Sequence, residues 1–332
     1  MSKPILPILL PRRDFLGLTG AALAAATFGP GARAEGAPIN FGYQATSWGT
    51  IGMLCDSQGL FKKAGANVAI YKFDGGKTTR DAMISGRVDI GVLGSTPFVV
   101  GAAKGDMVAI GMCMYAGKAD AIVAGKKSGI KSIAELKGKR VASQLGSATD
   151  NAFQEKILPK YGLTRADVQI VNIPHQNHLA AVISGSVDAF AGVEPFPSLA
   201  EVEGIGNVIV DYSDFDILPV IITANRPVVE KRRAEVVALL RGWLAGVKLF
   251  QTQPDKAKEI VFTFFKDQGF TVSEAVVQRM LSKLDVTPTF KPGLREYLDD
   301  EAKLLIKRKS IAAVPDWNKV LMADLMQEAM KA

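Results

Sequence analysis

Histidine and cysteine are nearly missing from this chain, which carries two of each in 332 residues. That scarcity removes much chemistry. His175 and His178 stand three apart with no cysteine near them and no third ligand at a standard spacing, so no metal site is expected. A Ser-His-Asp triad would have to use one of those two histidines, and no G-x-S-x-G elbow presents a nucleophile. A phosphate loop is lacking as well. Asp74-Gly75-Gly76-Lys77-Thr78 has the end of one, but the first glycine of the motif would fall on Tyr71. No catalysis and no cofactor are expected.

Strong charge and long apolar runs are also missing. Beyond the amino terminus no segment reaches the roughly 20 apolar residues that span a bilayer. The formal charge is +7, and the basic residues are spread through helical patterns. Lys303, Lys307, Arg308 and Lys309 sit beside Glu296, Asp299, Asp300 and Glu301, as on a solvated helix face, so no nucleic-acid partner is expected.

The amino terminus reads as an address. Arg12-Arg13-Asp14-Phe15-Leu16 precedes a short, mildly apolar stretch from Gly17 to Phe28, and Ala32-Arg33-Ala34 has the form of a cleavage site. Residues 1–34 are expected to be a signal peptide read by the twin-arginine export machinery, with the remainder working in the periplasm. Its removal takes away four cations and one carboxylate, leaving a formal +4 on residues 35–332. No cysteine adjoins the cleavage region, so no lipid anchor is expected there. Twin-arginine substrates fold before export in a reducing compartment. Cys55 and Cys113, both in apolar contexts, are therefore expected to be free and buried.

The chain repeats itself. Residues 82–89 read Ala-Met-Ile-Ser-Gly-Arg-Val-Asp and residues 181–188 read Ala-Val-Ile-Ser-Gly-Ser-Val-Asp. Each copy runs from a helical pattern through a glycine turn into an apolar strand. Strands and helices alternate around both, as in parallel α/β sheets. Strands are expected at 39–43, 68–71, 88–93 and 107–115, with 121–124 extending the first sheet. Strands at 140–143, 168–173, 187–193 and 207–210 form a second sheet, and 220–224 returns to the first. Ser132 and Glu135 suggest a capping box on a short helix. After Arg226 the pattern is helical, with Trp243, Phe250, Phe262, Phe264 and Phe265 at core-facing spacings. The expected organisation is α/β with two lobes: 35–124 as the first part of lobe I, 125–218 as lobe II, and 219–332 as a return to lobe I with carboxyl-terminal helices.

Several stretches together resemble the solute-binding proteins of ABC importers, in the group that takes up nitrate, sulfonates and taurine. They are Gln44, Gly59-Leu60-Phe61-Lys62-Lys63-Ala64-Gly65, Ser85-Gly86-Arg87-Val88-Asp89-Ile90-Gly91, Leu136-Lys137-Gly138-Lys139-Arg140-Val141, Gly146-Ser147, and Val187-Asp188-Ala189 leading to Glu194-Pro195-Phe196. The resemblance covers nearly all of residues 35–332. It implies a type II periplasmic binding protein, with mostly parallel sheets flanked by helices, a ligand cleft between the lobes, and closure about two hinge segments. The implied partners are a small-molecule solute and an inner-membrane ABC permease with its ATPase, and the chain is expected to be a monomer. Val193 stands where an aromatic often precedes the acidic-Pro pair, which bears on the ligand rather than the fold.

Ligands of open α/β sheets bind beyond the carboxyl ends of the strands. That places Gln44, Thr46, Ser47 and Trp48 after the first strand, Ser95 and Thr96 after the third, the loop with Ser147, Ala148 and Thr149 in the second lobe, and Glu194 before Pro195. Ser95, Thr96, Ser147 and Thr149 sit at helix starts, where free N–H groups favour an anion or a simple cap. Trp48 offers a stacking face and an N–H donor. Glu194 would repel an anion unless the solute carries an ammonium or N–H group; otherwise it is a hinge residue paired with a lysine or arginine. Taurine or another aminosulfonate suits this set, nitrate or a simple alkanesulfonate leaves Glu194 unpartnered, and a thiamine-type pyrimidine stacked on Trp48 is the alternative. Enzymes of thiamine-pyrimidine synthesis share the fold, but their cysteine cluster is missing.

Replacing both Arg12 and Arg13 with lysine is expected to leave precursor in the cytoplasm. Cell fractionation that finds unchanged cleaved product in the periplasm would point to the general secretion route.

Overall fold

The computed structural model describes residues 36–103 and 106–331, so the signal expected over 1–34 lies outside the described residues. The chain opens with β1 (Ile39–Gln44), α1 (Thr50–Gln58), α2 (Leu60–Lys63), β2 (Val68–Phe73), α3 (Gly76–Ile84), β3 (Ile90–Gly94), α4 (Ser95–Ala103) and β4 (Met107–Tyr115). It continues through β5 (Asp120–Gly125), β6 (Arg140–Ser143), α5 (Ala148–Ala152), α6 (Leu158–Lys160), β7 (Gln169–Asn172), α7 (His178–Ile183), β8 (Ala189–Val193), α8 (Phe196–Val202) and β9 (Gly206–Asp211). After β10 (Pro219–Asn225) come α9 (Arg226–Lys231), α10 (Arg233–Thr252), α11 (Pro254–Asp267), α12 (Glu274–Leu281), α13 (Leu294–Lys307), α14 (Trp317–Val320) and α15 (Ala323–Met330).

Two five-stranded sheets result, ordered β2-β1-β3-β10-β4 and β7-β6-β8-β5-β9. Their topologies are the same. In each sheet the first three strands are parallel, and the fourth runs antiparallel to both neighbours. Strands β3, β4 and β8 are buried along their whole length, which is why they read as unbroken apolar runs rather than alternating ones.

The strand at 121–124 does not extend the first sheet as expected. It lies in β5, between β8 and β9, while β10 fills the matching place in the first sheet. A strand apolar on both faces fits either sheet, so local pattern could not assign it. The crossing segments Ala116–Ala119 and Tyr212–Leu218 bond to each other, Ala116 N–H to Leu218 O at 3.0 Å and Tyr212 N–H to Gly117 O at 3.0 Å.

The repeated octapeptide proves to be a helix stop and a strand anchor. Gly86 and Gly185 take φ of 71° and 73°, the left-handed conformation that ends a helix and favours glycine. Arg87 N–H then reaches Ala82 O and Ser186 N–H reaches Ala181 O. The closing aspartates hook the first parallel strand of each lobe, with Asn40 N–H donating to Asp89 at 2.8 Å and Arg140 N–H to Asp188 at 2.9 Å.

The Ser132 capping box does not form. Ser132 donates to the Glu135 carboxylate and caps no backbone N–H, whereas Thr164 and Asp167 make a reciprocal box around the turn Arg165–Asp167. The carboxyl-terminal helices largely return to the first lobe: α10 packs on α1 and α2, α13 on α4, and α15 on β4. Helix α12 departs from this and packs on α8 of the second lobe. Trp243 and Phe265 are fully buried as expected; Phe250, Phe262 and Phe264 are partly so. Cys55 and Cys113 are free and buried, and burial pushes both thiols up.

Helix α10 approaches α2 through Gly242. A Cβ there would lie 2.9 Å from Phe61 Cα and 3.0 Å from Leu60 O, backbone atoms that cannot turn aside. Glycine to alanine gains about 1 kcal/mol of helix propensity at an open site, while overpacking costs about 1–3 kcal/mol. Gly242→Ala is expected to lose up to about 2 kcal/mol in urea unfolding; a gain would show that the helices separate easily.

Candidate functional site

The carboxyl ends of β1 and β3 face those of β6 and β8, and the lobes meet there. Ser47 N–H donates to Glu194 O at 2.9 Å across the boundary. A Cβ on Gly94 would fall 2.9 Å from Ala148 Cβ, and one on Gly75 would fall 2.5 Å from Gln144 Nε2. All ten residues singled out from the sequence, Gln44, Thr46, Ser47, Trp48, Ser95, Thr96, Ser147, Ala148, Thr149 and Glu194, are buried in this region.

Their polar groups are mostly spent on the protein itself. Trp48 Nε1 donates to Asp120 Oδ1 at 3.1 Å, and the ring edge lies against Gly94, so at 4% exposure it presents no open stacking face. Thr149 donates to the other oxygen of Asp120. Thr96 donates to Glu301 Oε1, and the hydroxyl of Ser95 lies 3.4 Å from that of Tyr297. Ser147 acts as a plain cap, accepting from Asp150 N–H at 3.0 Å. Gln44 Nε2 donates to Val92 O at 2.8 Å. Three buried atoms here, Gln44 Oε1, Ser47 Oγ and Thr50 Oγ1, have no hydrogen-bond partner among the described residues.

Glu194 has the bland partner of the two considered. Lys283, just beyond α12, forms an ion pair with Oε1; Ser198 donates its hydroxyl to Oε1 at 2.7 Å and its N–H to Oε2 at 3.1 Å. A carboxylate with three donors has little capacity for a solute ammonium.

Three buried acids escaped the sequence reading. Asp120 opens β5 beside the first crossing segment and is fully buried; desolvation, against the bonds from Thr149 and Trp48, pushes its carboxyl well above the usual range. Asp216 lies in the second crossing segment, where Lys156 pairs with Oδ2 at 2.7 Å and Tyr297 donates to Oδ1 at 2.7 Å. Glu301 had been grouped with solvated acids but is 3% exposed, and burial raises its pKa to about 6 despite the hydroxyls of Ser95 and Thr96. A signal for it existed. Leu294, Leu298, Glu301 and Leu305 recur at helical spacing, which puts the glutamate on the buried stripe of α13.

A cavity of about 600 Å³ opens between the lobes. Lys77, Arg80 and Thr96 line it from the first lobe, Gly146, Asp150, Asn151, Glu155 and Arg165 from the second, Leu305 from α13, and Arg308 from just beyond that helix. Arg308 bonds Glu155 and Asn151, and Arg80 bonds Asp81. Lys77 Nζ and Arg165 form no ion pair among the described residues.

His175 and His178 stack edge to face at 5.1 Å. Burial lowers both, His178 to about 4, so they are neutral core side chains at pH 7. Among the described residues no group of three His, Cys, Asp or Glu is placed to hold a metal ion.

Two like sheets, reciprocally completed, with a polar-lined cavity between them define a two-lobed solute-binding protein. The NMT1/THI5 like family matches residues 50–257, and the chain belongs to that family. It is 30% identical over 246 residues to an Escherichia coli (strain K12) protein named for binding aliphatic sulfonates, a match covering 73% of this chain and 76% of that one. The taurine-binding periplasmic protein of the same strain is 33% identical over 146 residues, 43% of this chain and 44% of that one. Among solved structures, the periplasmic aliphatic sulphonate binding protein SsuA from Escherichia coli has a TM-score of 0.73 at 25% identity, covering 86% of this chain and 91% of that chain. These relatives are binding proteins, and the chain is a solute-binding protein rather than an enzyme.

Removing one partner of a buried pair leaves an uncompensated charge that costs several kcal/mol. Lys283→Met should therefore destabilise the protein by about 3 kcal/mol in denaturant unfolding. Combining it with Glu194→Gln should recover part of that loss, because the stranded charge goes too. Losses that simply add would mean the two side chains act independently.

Proposed function

We propose that the chain captures a small organic anion of the sulfonate class in the cavity between its lobes, working in the periplasm and handing the solute to an ABC permease. The names of its relatives support the class of solute. The observation that carries the reading is the charge of the cavity: four cations, Lys77, Arg80, Arg165 and Arg308, line it against the two carboxylates of Asp150 and Glu155. Its volume lies in the range of organic-ligand pockets and is generous for nitrate alone. Because both lobes contribute lining residues, a bound solute touches both and stabilises the closed arrangement by its differential affinity. The thiamine-pyrimidine alternative depended on Trp48 as a stacking face, which its bond to Asp120 and its burial do not favour.

In a thermal-shift series, alkanesulfonates and aminosulfonates should raise the melting temperature, since solute at 100 times its Kd adds about 2.7 kcal/mol. Lys77→Ala should weaken the best sulfonate by roughly fivefold in calorimetry, one exposed charge contact being worth about 1 kcal/mol. Stabilisation by a thiamine pyrimidine with none from any sulfonate would reverse the assignment.

A further inference from the structure

We propose that α12 is a clasp that holds the lobes together before any solute arrives, so that solute enters and leaves only when the clasp lets go. This rests on the cleft between the lobes being the way to the solute site. The chain leaves the first lobe at the end of α11 and returns to it at β4, where Tyr115 N–H donates to Asp285 O and Met112 N–H to Pro288 O, both at 3.0 Å. Between those anchors the segment arches over to the second lobe. Phe270 sets its ring edge to face between Phe265 of α11, 6.0 Å away, and Phe196 of α8, 5.7 Å away. Arg279 pairs with Glu201 of α8, and Lys283 pairs with Glu194 just before that helix. Both acids are tied into the second lobe: Glu201 accepts Val208 N–H of β9 at 3.4 Å, and Glu194 accepts from Ser198.

The two attachments are unequal. Main-chain hydrogen bonds hold the arch to the first lobe, while among the described residues side chains alone hold it to the second. When the lobes turn about the crossing segments, α12 therefore stays with the first lobe and its contacts to α8 break. An ion pair that exists only in the closed arrangement stabilises that arrangement whether the cleft is empty or filled. It bears on rates more than on affinity. The empty protein binds only through the fraction that is open, and the filled protein releases its solute only when it opens.

Small-angle scattering without solute and stopped-flow tryptophan fluorescence with ethanesulfonate test this on the wild type and Arg279→Glu. Arg279 is exposed and lines no part of the cavity, so replacing it leaves the solute's own contacts in place. The variant should show a larger radius of gyration with no solute present. Its association and dissociation rates should both rise roughly two- to fivefold, the worth of one exposed ion pair, with Kd changed by less than about twofold. Losing a cation by itself slows the approach of an anion, so faster association cannot come from altered steering. Combining Arg279→Glu with Glu201→Arg restores the pair in reverse and should bring the radius and both rates back toward those of the wild type. An unchanged radius, or a weaker Kd with association unchanged, would overturn the clasp. If ethanesulfonate does not bind, the sulfonate reading fails and scattering alone decides the clasp. If Arg279→Glu does not fold, Arg279→Gln serves instead and should move the same observables in the same direction by less; no movement there overturns the clasp as well.

Discussion

Each sheet of this protein is incomplete without a strand delivered from across the lobe boundary. β5 leaves the first lobe to become the fourth strand of the second sheet, and β10 leaves the second lobe to become the fourth strand of the first. The crossovers tie the lobes covalently at two places, while the ladder bonds of each exchanged strand stay within the sheet it joins, so the lobes can turn about the crossing segments with both sheets intact. Freedom is confined to the two crossing segments, which bond to each other. Any relative motion of the lobes must be absorbed there, and those segments run past the cleft. The acids nearest them, Asp120 and Asp216, accordingly hold side chains from different elements: Trp48 and Thr149 on the one, Lys156 and Tyr297 on the other.

Helix α13 is the second consequence of the chain's return to lobe I. Its apolar stripe, Leu294, Leu298, Ala302 and Leu305, joins the core that includes Phe98 and Ile221 of the first lobe. From the same stripe Glu301 reaches across the cleft to Asn151, and Arg308, just past the end of the helix, reaches Glu155. Burying such charges is not in itself a source of stability, since desolvation offsets most of the Coulomb attraction. What the pairs supply is position. A carboxylate held at once by Thr96 and Asn151 fixes one separation of the two lobes as the satisfied one, and the apolar stripe ensures that the helix moves with the first lobe only.

The fold was legible because its signals are local. Continuous apolar runs marked the strands, and the repeated Gly and Asp of the octapeptide marked two like units, each residue performing the same bond in both lobes. Strand exchange was not legible, since the apolar pattern of 121–124 says how deeply the strand is buried but not in which sheet. The strand-end rule led to the lobe boundary, where all ten residues are buried, yet of the ten Thr96 alone lines the cavity between the lobes. What they do there was not. Whether Thr96 is free for a ligand depends on Glu301, 205 positions away, and whether Glu194 is free depends on Lys283, 89 positions away. Single-sequence reasoning reads periodicity and spacing, and neither carries pairings at such separation.

Spending the cleft hydroxyls on the protein changes how closure would be driven under the proposed function. The cross-lobe bonds from Ser47 to Glu194, from Trp48 to Asp120 and from Asn151 to Glu301 need no solute. At about 1 kcal/mol net for an ordinary bond, and somewhat more to a charged acceptor, they amount to a few kcal/mol favouring closure, offset by the desolvation of Asp120 and Glu301. Driving a two-state equilibrium from 1:99 to 99:1 takes about 5.5 kcal/mol of differential affinity. A solute that merely replaced existing bonds, taking Thr96 from Glu301 or Thr149 from Asp120, would contribute little of that difference. One that adds bonds does contribute, and Lys77, which lines the cavity, is open to one, forming no ion pair among the described residues. Under the proposed function an anion that engages Lys77 adds to the bonds already made, so the residual valence of the cleft, rather than its total polarity, bears on what closes it.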